Sequence, residues 1–447
     1  MICFLHGYLL EGSGSNLWTR SVLQALCRAG HTVHLVCQEP HPERYDFIAE
    51  AHTYQLNGDV VTSLARAVPY PGRCIMHKPQ LGDTLPVYVW DKYEEFPRVV
   101  PMIDLPTAEI EQYIERNVAV VRRVVRAHDI EVIQANHMVL MSVVAQRVGI
   151  PYVIMPHGSA LEYAVKPDVR FQHYARTALR DARLLLVSSE ELGERVRALF
   201  ADVLPPIREI RVGVDTGSFH PVERSARPRN IKHAIQLLRA LPHSDDPDVK
   251  LPDRDAIATL RRIDWVDQHT IVYVGRLIEE KGVHHLIDAM PAIRAVDPTA
   301  QLIVAGHGPL RDRLMEMPGV HFLGYLTHRE LSWIMPCCDV GVFPSLVKES
   351  GPMVFLEALS SGCFPIASYF AGAKNKIDTV APCLEARDAE LMKLRPGHIA
   401  EDIAPAVIGA LAICDKYRNT LRSIAEKEYD WKPIAEKLAS TLSALTG

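Results

Sequence analysis

Short apolar runs alternate with amphipathic stretches along most of the chain. In the first half, the runs that predict buried strands are 2–6, 33–36, 132–133, 152–155 and 184–187. Between them, apolar residues recur at helical spacing over 16–29, 108–127 and 138–148. Strands that alternate with helices in this way predict an α/β chain with a mostly parallel sheet.

The second half repeats this alternation. Its predicted strands are 271–274, 302–305, 320–323 and 340–343, with a helix at 283–295. A chain of 447 residues is longer than one hydrophobic core usually grows, so two domains are expected. Charge, proline and aspartate are dense between the two halves. We therefore predict domains at 1–220 and 269–430, joined by a charged connector at 221–268.

The most informative stretch is residues 348–359, KESGPMVFLEAL, which follows the predicted strand at 340–343. Pro352, with good helix formers behind it, predicts the start of a helix. The unpaired backbone N–H groups of that start would face the carboxyl end of the strand, where open α/β sheets bind anions. Glu349 would lie at the mouth of the helix and Glu357 in its first turns. This spacing suits the two ends of one long ligand.

A glycine loop follows the first predicted strand. Gly12 and Gly14 precede the helix at 16–29, where a backbone without side chains can approach a phosphate or a sugar closely. The dinucleotide fingerprint would need a third glycine where Leu17 stands, although Glu39 could serve as its ribose-binding acid. An oxidoreductase that uses this loop therefore stays open, as does a tight turn without a ligand.

Glycines and cations follow the strands of the second half. Arg276 and Lys281 stand in the loop after 271–274, beside Gly275, so two cations could meet one diphosphate. The next predicted strand is also followed by glycines, Gly306 and Gly308. The repetition of this pattern at two sheet edges favours a ligand over chance surface charges.

Two other polar groups have competing interpretations. His157 ends the strand at 152–155, at the edge where such sheets bind ligands, but a histidine paired structurally at a turn is equally compatible. Asp253 and Asp255 form a D-x-D that could chelate a divalent cation. Their charged, proline-rich surroundings instead favour a solvated surface turn.

Composition limits the class of protein. The net charge of −5 gives no electrostatic footprint for nucleic acid. Nine scattered cysteines without a C-x-x-C pair predict a reduced, cytoplasmic compartment. Met1 to Leu5 lacks a basic flank and is predicted to be a first strand rather than a signal peptide. No window approaches a membrane span, so only peripheral contact with the inner face of a membrane stays open.

Taken together, these residues resemble a known family. In the second half the matching set is Gly275-Arg276-Leu277, Lys281-Gly282, Gly306-x-Gly308-Pro309, Gly324, Pro344-Ser345, and Glu349 with Glu357. In the first half it is Gly14-Ser15, Gly30-His31, His157-Gly158, Ser188, and Gly213-Val214-Asp215 with Phe219 and Pro221. The set is similar to the signature of the retaining glycosyltransferases of family four, which have the GT-B fold.

The resemblance implies two Rossmann-like domains that face a cleft, with a nucleotide sugar held mainly by the C-terminal one. Arg276 and Lys281 would neutralise the departing diphosphate, and Glu349 would bind hydroxyls of the transferred sugar. Glu357 would bind the ribose hydroxyls. His157 would contact the donor sugar from the opposite domain.

Further residues expected to bind the donor lie at the loop glycines and the helix start: Gly14, Gly275, Gly306, Gly308, Ser350, Gly351, Pro352, Met353 and Val354. The segment 431–447, beginning at Trp431, resembles the helix that crosses back onto the N-terminal domain. Two departures bear on the phosphate loop. Gly351-Pro352 replaces the aromatic residue and glycine that usually follow the Glu-Ser pair, and Ala371-Gly372-Ala373 stands where the family has a double glycine.

We therefore expect transfer of a hexose-type sugar, with retention, from a nucleotide diphosphate sugar to a hydroxyl acceptor. UDP is the first expectation for the nucleotide and GDP the second, with no cofactor and no obligatory metal. The expected acceptor is a glycan, a glycoconjugate or a small or lipid-linked molecule, which we would seek at 75–105, predicted as a long loop. Besides the oxidoreductase, a non-catalytic nucleotide-sugar-binding protein and a GT-B phosphorylase stay open.

Overall fold

A computed structural model describes residues 1–88, 96–246, 249–314, 317–348 and 351–446 of the chain. The chain divides into two compact units, Met1–Val212 with Trp431–Gly447, and Gly213–Asp430. Each unit has α/β architecture, with parallel strands connected by helices, as the alternation of apolar runs predicts.

The described strands of the first unit are β1 (Ile2–Leu5), β2 (Thr32–Val36), β3 (Ile48–Tyr54), β4 (Val60–Ala65), β5 (Arg73–Pro79), β6 (Thr84–Val87), β7 (Arg98–Pro101), β8 (Val132–Asn136), β9 (Tyr152–Met155), β10 (Leu184–Val187) and β11 (Ile207–Glu209). Its helices are α1 (Gly14–Arg28), α2 (Thr107–Ala127), α3 (Met141–Val148), α4 (Gly158–Ala160), α5 (Val169–Asp181) and α6 (Glu190–Phe200).

The main sheet of the first unit has the order β11-β10-β9-β8-β1-β2-β5-β3-β4. Its neighbouring strands are parallel except for the antiparallel β3–β4 pair at one edge. The central strands β1, β8 and β9 are buried at every residue, as expected where helices cover both faces of a parallel sheet. All four residues of β10, Leu184–Val187, are buried. After β10 the Ser189 hydroxyl accepts the N–H of Leu192 at 3.3 Å and caps the start of α6.

The second unit begins with two helices, α7 (Arg227–Leu238) and α8 (Ala256–Arg262). Its described strands are β12 (Thr270–Val274), β13 (Gln301–Ala305), β14 (Val320–Gly324), β15 (Val340–Phe343), β16 (Phe364–Ser368) and β17 (Lys393–Leu394). The remaining helices of this unit are α9 (Val283–Val296), α10 (Arg311–Leu314), α11 (His328–Ile334), α12 (Met353–Ser360), α13 (Ala371–Val380), α14 (Ala386–Glu390), α15 (Ile399–Leu411) and α16 (Cys414–Ile424).

The sheet of the second unit is parallel, with the order β14-β13-β12-β15-β16-β17. The strand order reverses between β12 and β15. In open α/β sheets the carboxyl ends of the strands at such a reversal form the ligand-binding crevice. The topology therefore places the loops after β12 and β15 at a site suited to a ligand.

The last helix, α17 (Trp431–Ser443), belongs to the first unit. It packs against α1, and the rings of Trp18 and Trp431 are 6.5 Å apart. This confirms that the C-terminal helix returns to the N-terminal half of the chain.

Two predicted segments differ from the structure. The stretch 75–105, predicted as a long loop, holds part of β5 and the two paired strands β6 and β7, while its residues 89–95 lie outside the described residues. Prolines and aromatic residues obscure the alternation of these short strands. Residues 221–268, predicted as a connector, lie within the second unit, where α7 packs on α11 and α8 on β14.

All nine cysteines are free thiols, and all but Cys383 are buried. In the described part of the chain, no helix is both long enough and apolar enough to cross a membrane.

Candidate active site

A cavity opens at the carboxyl ends of β12, β15 and β16, which we call the second-unit cavity. Its volume is about 470 Å³, including the space open to solvent. Its wall contains loop and helix-start residues from three strand ends, among them Gly275, Lys281, Ser345, Pro352, Val354 and Phe370. Four of these, Gly275, Lys281, Pro352 and Val354, were predicted as site residues from the sequence.

The glycines of this region allow its loops to pack backbone against backbone. A Cβ at Gly306 would lie 1.9 Å from the carbonyl oxygen of Gly275, and a Cβ at Gly308 would lie 2.6 Å from that of Leu277. The Leu277 N–H in turn donates to the His307 carbonyl at 2.8 Å. Gly306 and Gly308 therefore hold the Gly275 loop in place, and their direct contact with a ligand stays a prediction.

The two predicted cations stand in this loop. Lys281 lines the cavity and is half-buried. Gly282, the next residue, has φ +68°, and a Cβ there would lie 2.0 Å from the Pro344 carbonyl oxygen. Only glycine fits this position, which fixes the direction in which the chain leaves Lys281. Arg276 is exposed, and no residue in the described ranges pairs with its side chain.

Helix α12 begins at Met353, with Pro352 as the residue before it. The N–H groups of its first turn have no partner within the helix, and the helix dipole favours an anion there. Glu349 and Ser350 lie outside the described residues, and Gly351 and Pro352 precede the helix.

Glu357 is 2% exposed, and only one of its two carboxylate oxygens has a partner among the described residues. Its Oε1 lies 2.7 Å from Nε2 of His328, while its Oε2 is buried without a hydrogen-bond partner among the described residues. Glu357 stands one turn after Val354, on the same side of α12 as that cavity residue. An unpaired buried carboxylate oxygen is costly unless a ligand satisfies it. Glu357 is therefore suited to accept hydroxyl hydrogen bonds.

The position of His328 is set by a capping box at the start of α11. The Thr327 hydroxyl accepts the Arg329 N–H at 3.2 Å, and the Glu330 carboxylate accepts the Thr327 N–H at 2.8 Å. The Phe219 ring meets His328 edge-on at 6.3 Å. His328 thus positions the Glu357 carboxylate from a neighbouring helix.

Ala371 occupies the place of a family glycine and has φ +51°. This left-handed conformation is disfavoured for every residue except glycine. The backbone therefore keeps the glycine conformation although the sequence has lost the glycine. Phe370 and Ala373, on either side, both line the second-unit cavity.

The first unit has its own cluster at the same kind of edge. His6 and His137 directly follow β1 and β8, and His157 follows β9 after one proline; these three strands are neighbours in the sheet. The ring centroids of His6 and His137 are 5.7 Å apart, and those of His137 and His157 are 4.9 Å apart. We call these three residues the first-unit histidine cluster.

Hydrogen bonds fix the tautomer of His6. The Asn136 amide donates to Nδ1 at 3.1 Å, so Nε2 carries the proton and donates towards Asn16 Oδ1 at 3.0 Å. Burial lowers the pKa of His6 to about 4 and that of His157 to about 3, so both rings are neutral at pH 7.

The other two rings of the cluster have unused polar atoms. Nε2 of His157 and both ring nitrogens of His137 are buried without a hydrogen-bond partner among the described residues. His137 also has φ +70°, an uncommon conformation for a residue other than glycine. Strain and unpaired polar atoms at a strand end are typical of ligand sites.

Aromatic rings surround this cluster. Trp18 lies 5.7 Å from His157, and Tyr88 and Tyr8 lie 4.7 and 5.4 Å from His137. Neutral hydrogen-bonding rings beside aromatic faces suit an uncharged ligand with hydroxyl groups. Gly14 begins α1, is exposed, and would have no atom within 4 Å of a Cβ, so packing does not require a glycine there.

The glycine loop of the first unit is closed by Glu39. Its Oε2 accepts the Leu10 N–H at 3.0 Å and the Tyr45 hydroxyl at 3.1 Å, and its Oε1 accepts the His41 N–H at 3.0 Å. A carboxylate filled by protein donors in this way is not available for a ribose. The geometry therefore argues against the dinucleotide site.

The two aspartates of the D-x-D differ in burial and in their ion-pair partners. Asp253 is 2% exposed and accepts from the Arg311 guanidinium at 2.6 Å, whereas Asp255 is exposed and lies 3.8 Å from Arg262. The predicted solvated turn is wrong for Asp253, because the strand-end residue Gly324 packs against it. One carboxylate is committed to an ion pair, so the two do not form a shared cation site.

The sequence analysis missed His6, His137, His328 and Phe370. His6 and His137 each stand at the carboxyl end of a strand, as His157 does, so the same criterion would have found them. His328 and Phe370 have no comparable signal, because the fold brings them to the site from other elements.

Models of two protein families match this chain. "Glycosyl transferase 4-like domain" matches residues 13–213, and "Glycosyl transferases group 1" matches residues 268–408. Together they cover more than half of the chain.

Curated relatives include two bacterial enzymes. Glycogen synthase of Mycobacterium tuberculosis is 31% identical over 184 residues, which are 39% of this chain and 42% of that protein. A GDP-mannose-dependent phosphatidylinositol monomannoside mannosyltransferase of Corynebacterium glutamicum is 27% identical over 207 residues, 42% of this chain and 51% of that protein. The matched region thus spans about half the length of these relatives.

A solved structure shares the fold over the whole chain. HepE of Anabaena, in complex with UDP and glucose, superposes with a TM-score of 0.61 at 17% identity and covers 99% of both chains. This superposition, the two family models and the position of the cavity at the strand reversal all indicate the same fold. The chain belongs to the family-four glycosyltransferases of the GT-B fold.

Proposed function

We propose that this protein transfers a hexose-type sugar from a nucleotide diphosphate sugar to a hydroxyl acceptor, with retention at the anomeric carbon. The observation that carries the proposal is the unpaired, buried Oε2 of Glu357 beside the second-unit cavity, which also contains Lys281. A carboxylate that can accept from ribose hydroxyls and a cation that can meet a diphosphate are what a nucleotide-sugar donor needs.

The chemistry of the proposal is stabilisation of a leaving group. Negative charge grows on the diphosphate as the bond to the sugar breaks, and prepositioned donors lower the barrier most when they meet that charge. Lys281, Arg276 and the first N–H groups of α12 supply such donors. Glu349 is proposed to bind the transferred sugar, and His157 to contact it as a neutral hydrogen-bonding group.

No metal is required by this scheme, because cations of the protein would take the place of a divalent ion at the diphosphate. The ion pair of Asp253 with Arg311 supports the same view, since it removes the D-x-D as a chelator. We expect transfer to persist in EDTA.

The acceptor is proposed to be a glycan or glycoconjugate, bound through hydroxyl groups at the first-unit histidine cluster. The aromatic rings and neutral histidines there favour an uncharged polyhydroxylated ligand over an anion. Two relatives, named as a glycogen synthase and a phosphatidylinositol monomannoside mannosyltransferase, support a glycan or a glycolipid.

A thermal-shift screen tests the donor class. The panel contains UDP, GDP, ADP, their hexose conjugates and NAD(P), because a ligand that binds only the folded protein raises its melting temperature. We expect UDP first, because the similar structure HepE was solved with UDP, and GDP second, because one relative is named as GDP-mannose-dependent. We expect one nucleoside diphosphate to produce a selective shift.

The selected donor is then incubated with acceptor glycans, and release of nucleoside diphosphate and the anomer of the product are measured. A product with the donor's anomeric configuration is expected. A shift with NAD(P) alone would contradict the proposal, and donor binding without turnover on any acceptor would favour a non-catalytic binding protein.

A further inference from the structure

Three histidines meet inside the first unit, away from the strand ends described above. His34 lies on β2, His77 on β5, and His128 is the residue that ends α2. Each offers one ring nitrogen, and the three nitrogens lie within 4.8 Å of one another. His34 and His77 are fully buried and His128 is half-buried. We call these residues the buried histidine triad.

The hydrogen bonds of the triad are incomplete. His34 Nδ1 and His77 Nε2 are 2.9 Å apart, and the two rings are nearly parallel, at 10°. His77 Nδ1 lies 3.0 Å from the Tyr54 hydroxyl. Nε2 of His34 is buried without a hydrogen-bond partner among the described residues. His34 therefore has one unsatisfied buried ring nitrogen in either tautomer.

The geometry of the triad suits a metal ion. His34 Nδ1 and His77 Nε2 are close enough to bind one ion together, and in that form their lone pairs face the ion and replace the hydrogen bond between the two rings. When His77 binds through Nε2, its proton lies on Nδ1 and is donated to the Tyr54 oxygen. Such an outer hydrogen bond commonly orients histidine ligands.

The cationic groups that surround the triad are partly neutralised by carboxylates. Arg73, the N-terminal amine and His52 face His34, but Arg73 lies 3.8 Å from Glu50 and the amine pairs with Glu131. The C-terminal end of α2 stands at His128, and the dipole of this 21-residue helix favours a cation there.

We propose that His34, His77 and His128 bind one divalent transition-metal ion such as Zn²⁺, with water as a further ligand on the open side at His128. Neutral imidazoles are preferred ligands of zinc, cobalt, nickel and copper, whereas magnesium and calcium prefer oxygen. This site is separate from the second-unit cavity and does not depend on the proposed sugar transfer.

The test uses the full-length, tag-free protein after treatment with EDTA and dialysis. Zn²⁺ alone is added in a calorimetric titration and in a thermal-shift assay. We expect one equivalent to bind and to raise the melting temperature. Absence of saturable binding would overturn the proposal.

Variants identify the ligands. His128→Ala changes a half-buried residue at a helix end and is expected to weaken zinc binding at least about tenfold, while Tyr54→Phe weakens it about 10–100-fold by removing the outer hydrogen bond. His52→Ala is the matched control, since its ring lies 5.8 Å from His77 but outside the triad. Equal affinity in His128→Ala and wild type, or equal loss in His52→Ala, would contradict the assignment.

A measurement on the unaltered protein covers the case in which a variant does not fold. Co²⁺ bound by nitrogen ligands in a four-coordinate site gives intense visible absorption without a sulfur-to-cobalt charge-transfer band. The nitrogen-type spectrum is expected. A charge-transfer band, or the weak spectrum of octahedral cobalt, would place the ion on a cysteine or in solvent-like surroundings and overturn the proposal.

Discussion

The two strand-end sites of this protein differ in charge. The first-unit histidine cluster consists of neutral, buried imidazoles among aromatic rings. The second-unit cavity has Lys281 on a glycine loop, the start of α12 and a buried carboxylate nearby. The same α/β architecture thus prepares one edge for a neutral ligand and another for a charged one. Site chemistry, and not the fold, distinguishes the two.

The largest expected effect is a pH response that is stronger in the first unit than in the second. His6 and His157 have pKa values lowered to about 4 and about 3, against about 6.5 in an unfolded chain. The unfolded chain binds the protons first, so stability is complete above about pH 6.5 and is lost as the pH falls towards 4. At pH 5 each group removes about 2 kcal/mol.

Pulsed hydrogen exchange measures this difference. The protein is equilibrated at pH 7 or 5, labelled briefly at one fixed pH and analysed by peptide. Peptides of the first unit should lose protection at pH 5 more than those of the second unit, and His157→Gln should reduce the loss. Equal loss of protection in both units would contradict the predicted difference between them.

The next effect concerns the charged site. Lys281→Ala should lower kcat/KM for the donor about 10²–10³-fold, because it removes a preorganised donor to the leaving diphosphate. The melting temperature should hardly change, since the side chain is half-buried on a loop. Arg276→Ala should act in the same direction.

Arg387→Ala is the control for this loss. It removes one positive charge from the same unit at a side chain that is 82% exposed on α14. Donor kinetics should stay at the wild-type level. A similar loss in both variants would mean that overall charge, and not contact with the donor, is responsible.

A smaller effect is expected at Glu357. Glu357→Gln keeps the shape but removes the charge that strengthens hydrogen bonds to hydroxyl groups, so nucleotide affinity should fall about tenfold by calorimetry. His328→Ala should produce a smaller loss, because His328 acts through Glu357. Unchanged affinity in Glu357→Gln would remove its assignment to the ribose.

The smallest expected effect is at Ala371. Glycine tolerates φ +51° better than alanine, so Ala371→Gly should stabilise the protein by about 1 kcal/mol. Ala373→Gly makes the same chemical change in the same helix without positive φ and should destabilise it by about 0.5–1 kcal/mol. Urea denaturation compares the two, and a shared sign would contradict the strain argument.

The sequence predicted the elements that depend on local patterns. The strand Val340–Phe343 and the helix starting at Val283 follow from apolar runs and glycine punctuation, and both have the predicted bounds within one residue at their ends. Lys281 was found because it lies just before the helix that begins at Val283, and Val354 because it follows the proline that predicts the start of α12.

Contacts between distant segments could not be predicted in this way. His6 and His137 are brought together by the pairing of β1 with β8, and His328 reaches Glu357 from another helix. The burial of Asp253 depends on Arg311, 58 residues away. A charged turn and a buried ion pair look alike in sequence until the partner is known.

We propose that the second unit alone binds the charged nucleotide. Hydrogen exchange of the protein with and without the selected nucleoside diphosphate tests this most directly. We expect the greatest protection in peptides that span residues 273–283 and 352–373, with little at 6–18 and 134–160. Greatest protection at 6–18 would instead place the nucleotide on the glycine loop of the first unit and contradict the account.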